Sequence, residues 1–148
     1  MMSARSRIVD ALVEKLKEIN GSGPYKSSVS GNVLNKLKFY DEVQDFPTIS
    51  VVSGYESREY LPSDFTWGFL NISLKIYVEG ENSQELLENL LSDIEYNIMK
   101  NEQLQYDAGV GEQTAEVLIT SIQTDEGVMA PLGVGEINCT ARYQVIKS

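Results

Sequence analysis

The sequence predicts an α+β fold: a single domain in which two amphipathic helices pack on a mixed or antiparallel sheet of about four to six strands. Three observations carry this reading. Trp67 to Val78 alternates as one long strand, Asn82 or Ser83 opens an amphipathic helix that runs to about Lys100, and two further alternating segments follow. A chain of 148 residues buries roughly 68–70% of its unfolded surface, so a core forms without disulfides or metal. No repeat or low-complexity tract divides residues 1–148, and polar stretches near 54–66, 100–114 and 125–133 read as loops within one domain.

Each element has its own signal. Ile8, Val9, Leu12, Val13, Leu16 and Ile19 fall on one face of a helix from about Ala4 to Ile19. Asn20-Gly21 ends it, and Gly21-Ser22-Gly23-Pro24 forces a break. Tyr25 to Gly31 reads as an edge strand or irregular loop, and Lys36 to Tyr40 as a weak strand. Thr48 to Ser53 is a β-branched strand entered through Phe46-Pro47, with proline where a sheet tolerates it. Residues 54–66 form either a long hairpin arm or an ordered loop. In the next strand Leu70, Ile72, Leu74, Ile76 and Val78 face a core, opposite Asn71, Ser73 and Lys75. Leu86, Leu87, Leu90, Leu91, Ile94 and Ile98 give the second helix its apolar stripe, and Glu85 in its first turn favours the helix dipole. Ala115 to Thr124 and Val134 to Ile146 complete the sheet, the latter with Ile137, Cys139, Ala141, Tyr143 and Val145 inward.

Twelve basic against 22 acidic residues give a formal charge of −10. Such a surface repels phosphate, which disfavours sequence-independent nucleic-acid binding. It keeps the protein in solution, meets basic faces in an assembly, or lines a passage that DNA slides through without sticking. Cys139 is the one cysteine, so no intramolecular disulfide forms; this fits a reducing cytoplasm. No run approaches the roughly 18 apolar residues of a membrane span, and Met1 to Asn20 is amphipathic rather than a signal sequence.

Catalytic signals are few. The chain has no histidine, which removes Ser-His and Cys-His nucleophilic catalysis and the commonest zinc ligand. Gly109-Val110-Gly111 and Gly133-Val134-Gly135 lack the strand and helix of a phosphate loop and read as turns or a strand entry. Asp41, Glu42 and Asp45, and separately Glu56, Glu59 and Asp64, leave acid–base or magnesium chemistry open by residue type. In so acidic a chain, such groups read first as solvated surface. The expectation is a protein that is no enzyme and has no cofactor or metal.

Tyr55, Arg58, Tyr60, Phe65 and Trp67 lie in and beside the 54–66 segment and are the candidate interface residues. Tyr, Trp and Arg are the types that anchor protein interfaces. The competing reading is a satellite cluster packed on its own domain.

The order of these elements resembles the tail terminator proteins of long-tailed bacteriophages and the related minor tail proteins. The likeness rests on Ile8-Val9-Asp10-Ala11-Leu12-Val13, Phe46-Pro47-Thr48-Ile49-Ser50-Val51, Leu70 to Val78, Leu86 to Ile98 and Arg142-Tyr143-Gln144-Val145. It spans nearly the whole chain and is one of architecture, with no catalytic signature to carry over. The resemblance implies a virion protein assembled in the host cytoplasm as a homo-oligomer, a hexameric ring on the head-proximal end of the tail tube. It implies tail tube protein and a head–tail connector or neck protein as partners, with DNA passing the lumen unbound and no membrane. The alternatives are a head-completion or neck protein, a small-molecule or peptide-binding module, and a metal-dependent hydrolase on Asp41, Glu42 and Asp45.

Overall fold

The computed structural model describes residues 3–29, 31–107 and 113–146. Helix α1 (Ala4–Leu16) starts where the Ser3 hydroxyl accepts the Ser6 N–H at 3.1 Å and buries Ile8, Val9, Leu12, Val13 and Leu16. It stops three residues short of the expected Ile19. The N–H groups of Glu18 and Ile19 bond to Lys15 and Leu16, so the last turn tightens before Gly21 (φ +79°) reverses the chain. Tyr25 to Val29 is irregular, held by one bridge between Asn20 and Ser28, and buries Tyr25 and Val29.

The remaining elements are β1 (Val33–Leu34), a 3-10 turn (Tyr40–Glu42), β2 (Thr48–Leu61), β3 (Phe65–Glu79), α2 (Ser83–Lys100), β4 (Gln103–Asp107), β5 (Gln113–Thr124) and β6 (Leu132–Gln144). Among the described residues they form one six-stranded sheet in the order β1-β2-β3-β6-β5-β4, with β1–β2 parallel and every other pair antiparallel. The expected strand over Lys36–Tyr40 is not formed. The place beside β2 is taken by Val33–Leu34, and the Lys38 carbonyl accepts instead from the Tyr77 hydroxyl at 2.9 Å. Of the two readings of residues 54–66 the structure takes the hairpin arm, and one expected loop is corrected, since β4 lies inside the 100–114 stretch.

Both helices lie on the same side of the sheet. Leu87, Leu90, Leu91, Ile94 and Ile98 of α2 meet Leu70, Ile72, Leu74, Ile76 and Ile137 in one core with the apolar face of α1. Each such side chain, fully buried, contributes about 1.5–3 kcal/mol. The close seat of α2 explains the second Gly-x-Gly. A Cβ on Gly133 would stand 2.7 Å from Val78 Cγ2 and 3.1 Å from the Ser83 carbonyl, and one on Gly135 would stand 3.1 Å from Leu87 Cδ1. Asn82 occupies the N-cap position but its side chain makes no capping bond. Helix α1 touches both β2 and β4, near opposite ends of the strand order. Arg5 donates to the Gly54 carbonyl at 2.5 Å and Arg7 pairs with Asp107 at 3.8 Å, so the sheet curls around α1.

The opposite face is polar, as the alternation predicts. Ser73 donates to Asn138 at 2.8 Å, Asn138 to Ser121 at 3.0 Å, Lys75 pairs with Glu136, and Arg142 pairs with Glu116 at 3.5 Å. Such cross-strand pairs contribute about 0.2–1 kcal/mol each.

Candidate interaction surface

The aromatic segment is a β-hairpin arm, and a bulge decides which way its side chains point. Ser53 pairs with Ile72 and Glu56 with Leu70, so Gly54 and Tyr55 together oppose Asn71. One extra residue shifts the phase of the strand. Before the bulge Ile49 and Val51 face the helices; after it Glu56, Arg58 and Tyr60 lie opposite Leu70, Gly68 and Thr66 on that side. Ser57, Glu59 and Leu61 go to the open face with Phe65, Trp67 and Phe69. Leu61 and Phe65 close the arm around Pro62-Ser63-Asp64, where Ser63 and Asp64 adopt positive φ of 68° and 61°. Asp is among the residues that tolerate that region best.

The five candidates are therefore not brought into one cluster. Arg58 and Tyr60 share the helix side, with Tyr60 73% exposed. Phe65 and Trp67 share the open face, edge to face at 4.9 Å between centroids, and the Arg142 guanidinium lies 4.4 Å from the Trp67 ring centre. Tyr55, 71% exposed, projects from the bulge. Phe65 and Trp67 thus pack on their own domain, whereas Tyr55 and Tyr60 present their rings outward.

Glu56, Tyr143 and Arg142 also belong to this surface, although the sequence reading did not include them as interface candidates. The Tyr143 hydroxyl donates to Glu56 at 2.8 Å and Arg58 Nε to the other Glu56 oxygen at 2.5 Å, which buries the carboxylate under the arm. Burial pushes the Tyr143 phenol up to about 12, and the Glu56 carboxylate beside it works in the same direction. The hydrogen bond to Glu56 raises Arg58 above its ordinary value. Burial likewise pushes Cys139 up to about 12 and raises Tyr77 and Tyr106.

These groups keep their protons in the folded state where the unfolded chain would lose them. Their contribution to stability is thus complete below the unfolded values, near 9 for Cys139 and 10 for the tyrosines, and is lost as pH rises above them, toward about 12 for Cys139 and Tyr143. The urea midpoint is expected to fall over that window, by about 1.4 kcal/mol per pH unit for each proton withheld. Tyr143→Phe should make the fall shallower, and an unchanged slope would show that Tyr143 ionises freely in the fold.

The acidic groups are dispersed. Glu42 accepts the Phe39 N–H at 3.0 Å, and the Asp45 carbonyl accepts from Thr48. Among the described residues no three His, Cys, Asp or Glu side chains are placed to hold a metal ion. Gly109-Val110-Gly111 lies outside the described residues. No helix among the described residues is long and apolar enough to cross a membrane.

The comparisons identify the kind of protein to which this fold and exposed arm belong. The model of the bacteriophage tail tube terminator protein family matches residues 2–148. The chain is 36% identical over 153 residues to tail tube terminator protein p142 of Escherichia phage T5, across 97% of this chain and 95% of that protein. A chain from the virion of the native gene transfer agent particle shares the fold, with a TM-score of 0.57 at 7% identity over 98% of this chain and all of that one. The class is a structural protein of the virion tail. The chain belongs to the bacteriophage tail tube terminator protein family.

Proposed function

We propose that the protein caps the head-proximal end of the tail tube as a hexameric ring, stops tube polymerisation and offers the surface to which the head's connector or neck protein joins. It works by assembly rather than catalysis. The observation that carries this is the family match over residues 2–148, which favours a terminator over a neck protein or a small-molecule binding module. Three physical features agree with it. A ring needs a heterologous interface that closes by rotation, and the outer edge of β2 beyond Ser50, together with the arm, offers material for one. The net charge of −10 suits a lumen through which DNA passes without adhering.

The test is to add purified protein to polymerising tail tube protein. Tubes should shorten as the protein is raised, with rings at one end by electron microscopy and a hexamer by native mass spectrometry. A species that stays monomeric, ignores tube ends and leaves tube length unchanged would overturn the proposal.

A further inference from the structure

Two surfaces, one on the open face over β2 and β3 and one where α2 meets β5, match each other in charge and apolarity, and both lie at the same level along the strands. Strand pairing places Thr48, Tyr77 and Val134 in one row, with the Asp125 N–H on the Val134 carbonyl continuing it beyond β5. On the β2–β3 flank of this row the segment Lys36-Leu37-Lys38-Phe39-Tyr40 is fixed by the Tyr77 hydroxyl on the Lys38 carbonyl and by the Glu42 carboxylate on the Phe39 N–H. Phe39 is 59% and Tyr40 52% exposed, and Leu37, 47% exposed, borders the open face of the sheet beside Val52, Asn71 and Ser73. Asp41 follows at its far end.

On the β5 flank, helix α2 and the end of β5 enclose a groove of about 610 Å³. Leu91 and Ile122 give it an apolar floor, and Glu88, Glu95 and Glu126 form its rim. Ile122 is 42% exposed. Among the described residues none of these glutamates, and neither Lys36 nor Lys38, has an ion-pair partner. Glu88 and Glu95 are two helical turns apart, about 10.5 Å. Lys36 and Lys38 are two residues apart in an irregular segment, and their flexible four-carbon stems reach across the difference.

We propose that Lys36–Tyr40 of one copy docks in the α2–β5 groove of a second copy, Leu37 and Phe39 over Leu91 and Ile122, and the two lysines against Glu88 and Glu95. This rests on the ring reading and gives it a subunit contact. Two complementary patches at separate places on one subunit are what a head-to-tail cyclic interface requires, because each subunit donates one patch and receives the other. The apolar contact supplies affinity, and the opposite charges fix register and exclude the self-pairing of like patches.

The test uses the full chain in native mass spectrometry over a concentration series, alone and with tail tube ends. Lys36→Glu with Lys38→Glu, and separately Glu88→Lys with Glu95→Lys, should each weaken self-association roughly 10- to 100-fold with circular dichroism unchanged. Mixing the two variants, or combining all four changes in one chain, should restore it. Rings from the unaltered chain but no loss on either reversal, or loss without restoration, would overturn this contact and leave the ring standing. No ring from the unaltered chain under any of these conditions would overturn the ring reading and the contact with it.

Discussion

Asp93→Ala is expected to lower stability by about 2–4 kcal/mol, since each buried backbone donor left without a partner costs about 1–3 kcal/mol. Asp93 sits on the buried side of α2, 3% exposed. Its two carboxylate oxygens accept the N–H groups of Lys26 at 3.1 Å and Ser27 at 2.7 Å. One turn later the Asn97 amide donates to the Lys15 carbonyl at 2.9 Å and the Tyr25 hydroxyl at 3.0 Å. Together they fasten the irregular stretch after α1, and the last turn of α1 itself, onto α2. Removing the carboxylate strands both N–H groups where the chain has no strand partner to offer them. Asp93→Asn keeps one acceptor and should fall between the two. The measurement is a urea titration, in which the midpoint drops with an unchanged slope if only native-state bonds are lost. A loss below about 0.5 kcal/mol would show that water satisfies the two donors.

That clamp also marks where sequence reading stops. The stripe Leu87, Leu90, Leu91, Ile94 and Ile98 was legible from spacing alone, and all five residues are buried. Asp93 and Asn97 share that spacing, but their polarity assigns them to solvent in any count of apolar positions. Leu86, counted in the stripe, is 36% exposed. The strands behave the same way. The even alternation of β3 and β6 is readable because the two keep register with each other throughout and the extra residues fall in their neighbours β2 and β5. In β2 the bulge at Gly54-Tyr55 breaks the period, so the alternation does not decide between a hairpin arm and a loop for a strand that continues to Leu61. A second shift between Ile119 and Ser121 puts Ile122 opposite Ile137 although Ala115, Val117 and Ile119 set the opposite parity. Strand β4 has only Leu104 and Tyr106 as buried positions, too few to register as alternation. The candidate residue types were visible, but their division between the two faces was not. Phase after a bulge is set by pairing with a distant strand, which no local window contains.

Tyr60→Ser combined with Phe65→Ser is expected to weaken assembly at tube ends by a factor of about 30 or more, since an aromatic anchor at an interface contributes about 2 kcal/mol or more. Secondary structure by circular dichroism should not change. The two positions do not report the same thing, because Tyr60 lies on the helix side of the arm and Phe65 on the open face. Tyr60, 73% exposed, makes no ring contact with another aromatic side chain among the described residues, so Tyr60→Ser alone should leave the urea midpoint near that of the parent. Phe65 packs edge-on against Trp67, which carries Arg142. Losing that aromatic pair should lower stability by about 0.5–1.5 kcal/mol. A defect confined to Phe65→Ser would mean that the arm's stiffness matters and its helix-side face does not. A defect in Tyr60→Ser at parental stability would place the partner on that face, next to the Glu56 carboxylate that Arg58 and the buried Tyr143 hold in place. Full assembly by both single variants and the double variant would exclude the arm as an interface, leaving the flanks of the sheet to carry the contacts between subunits.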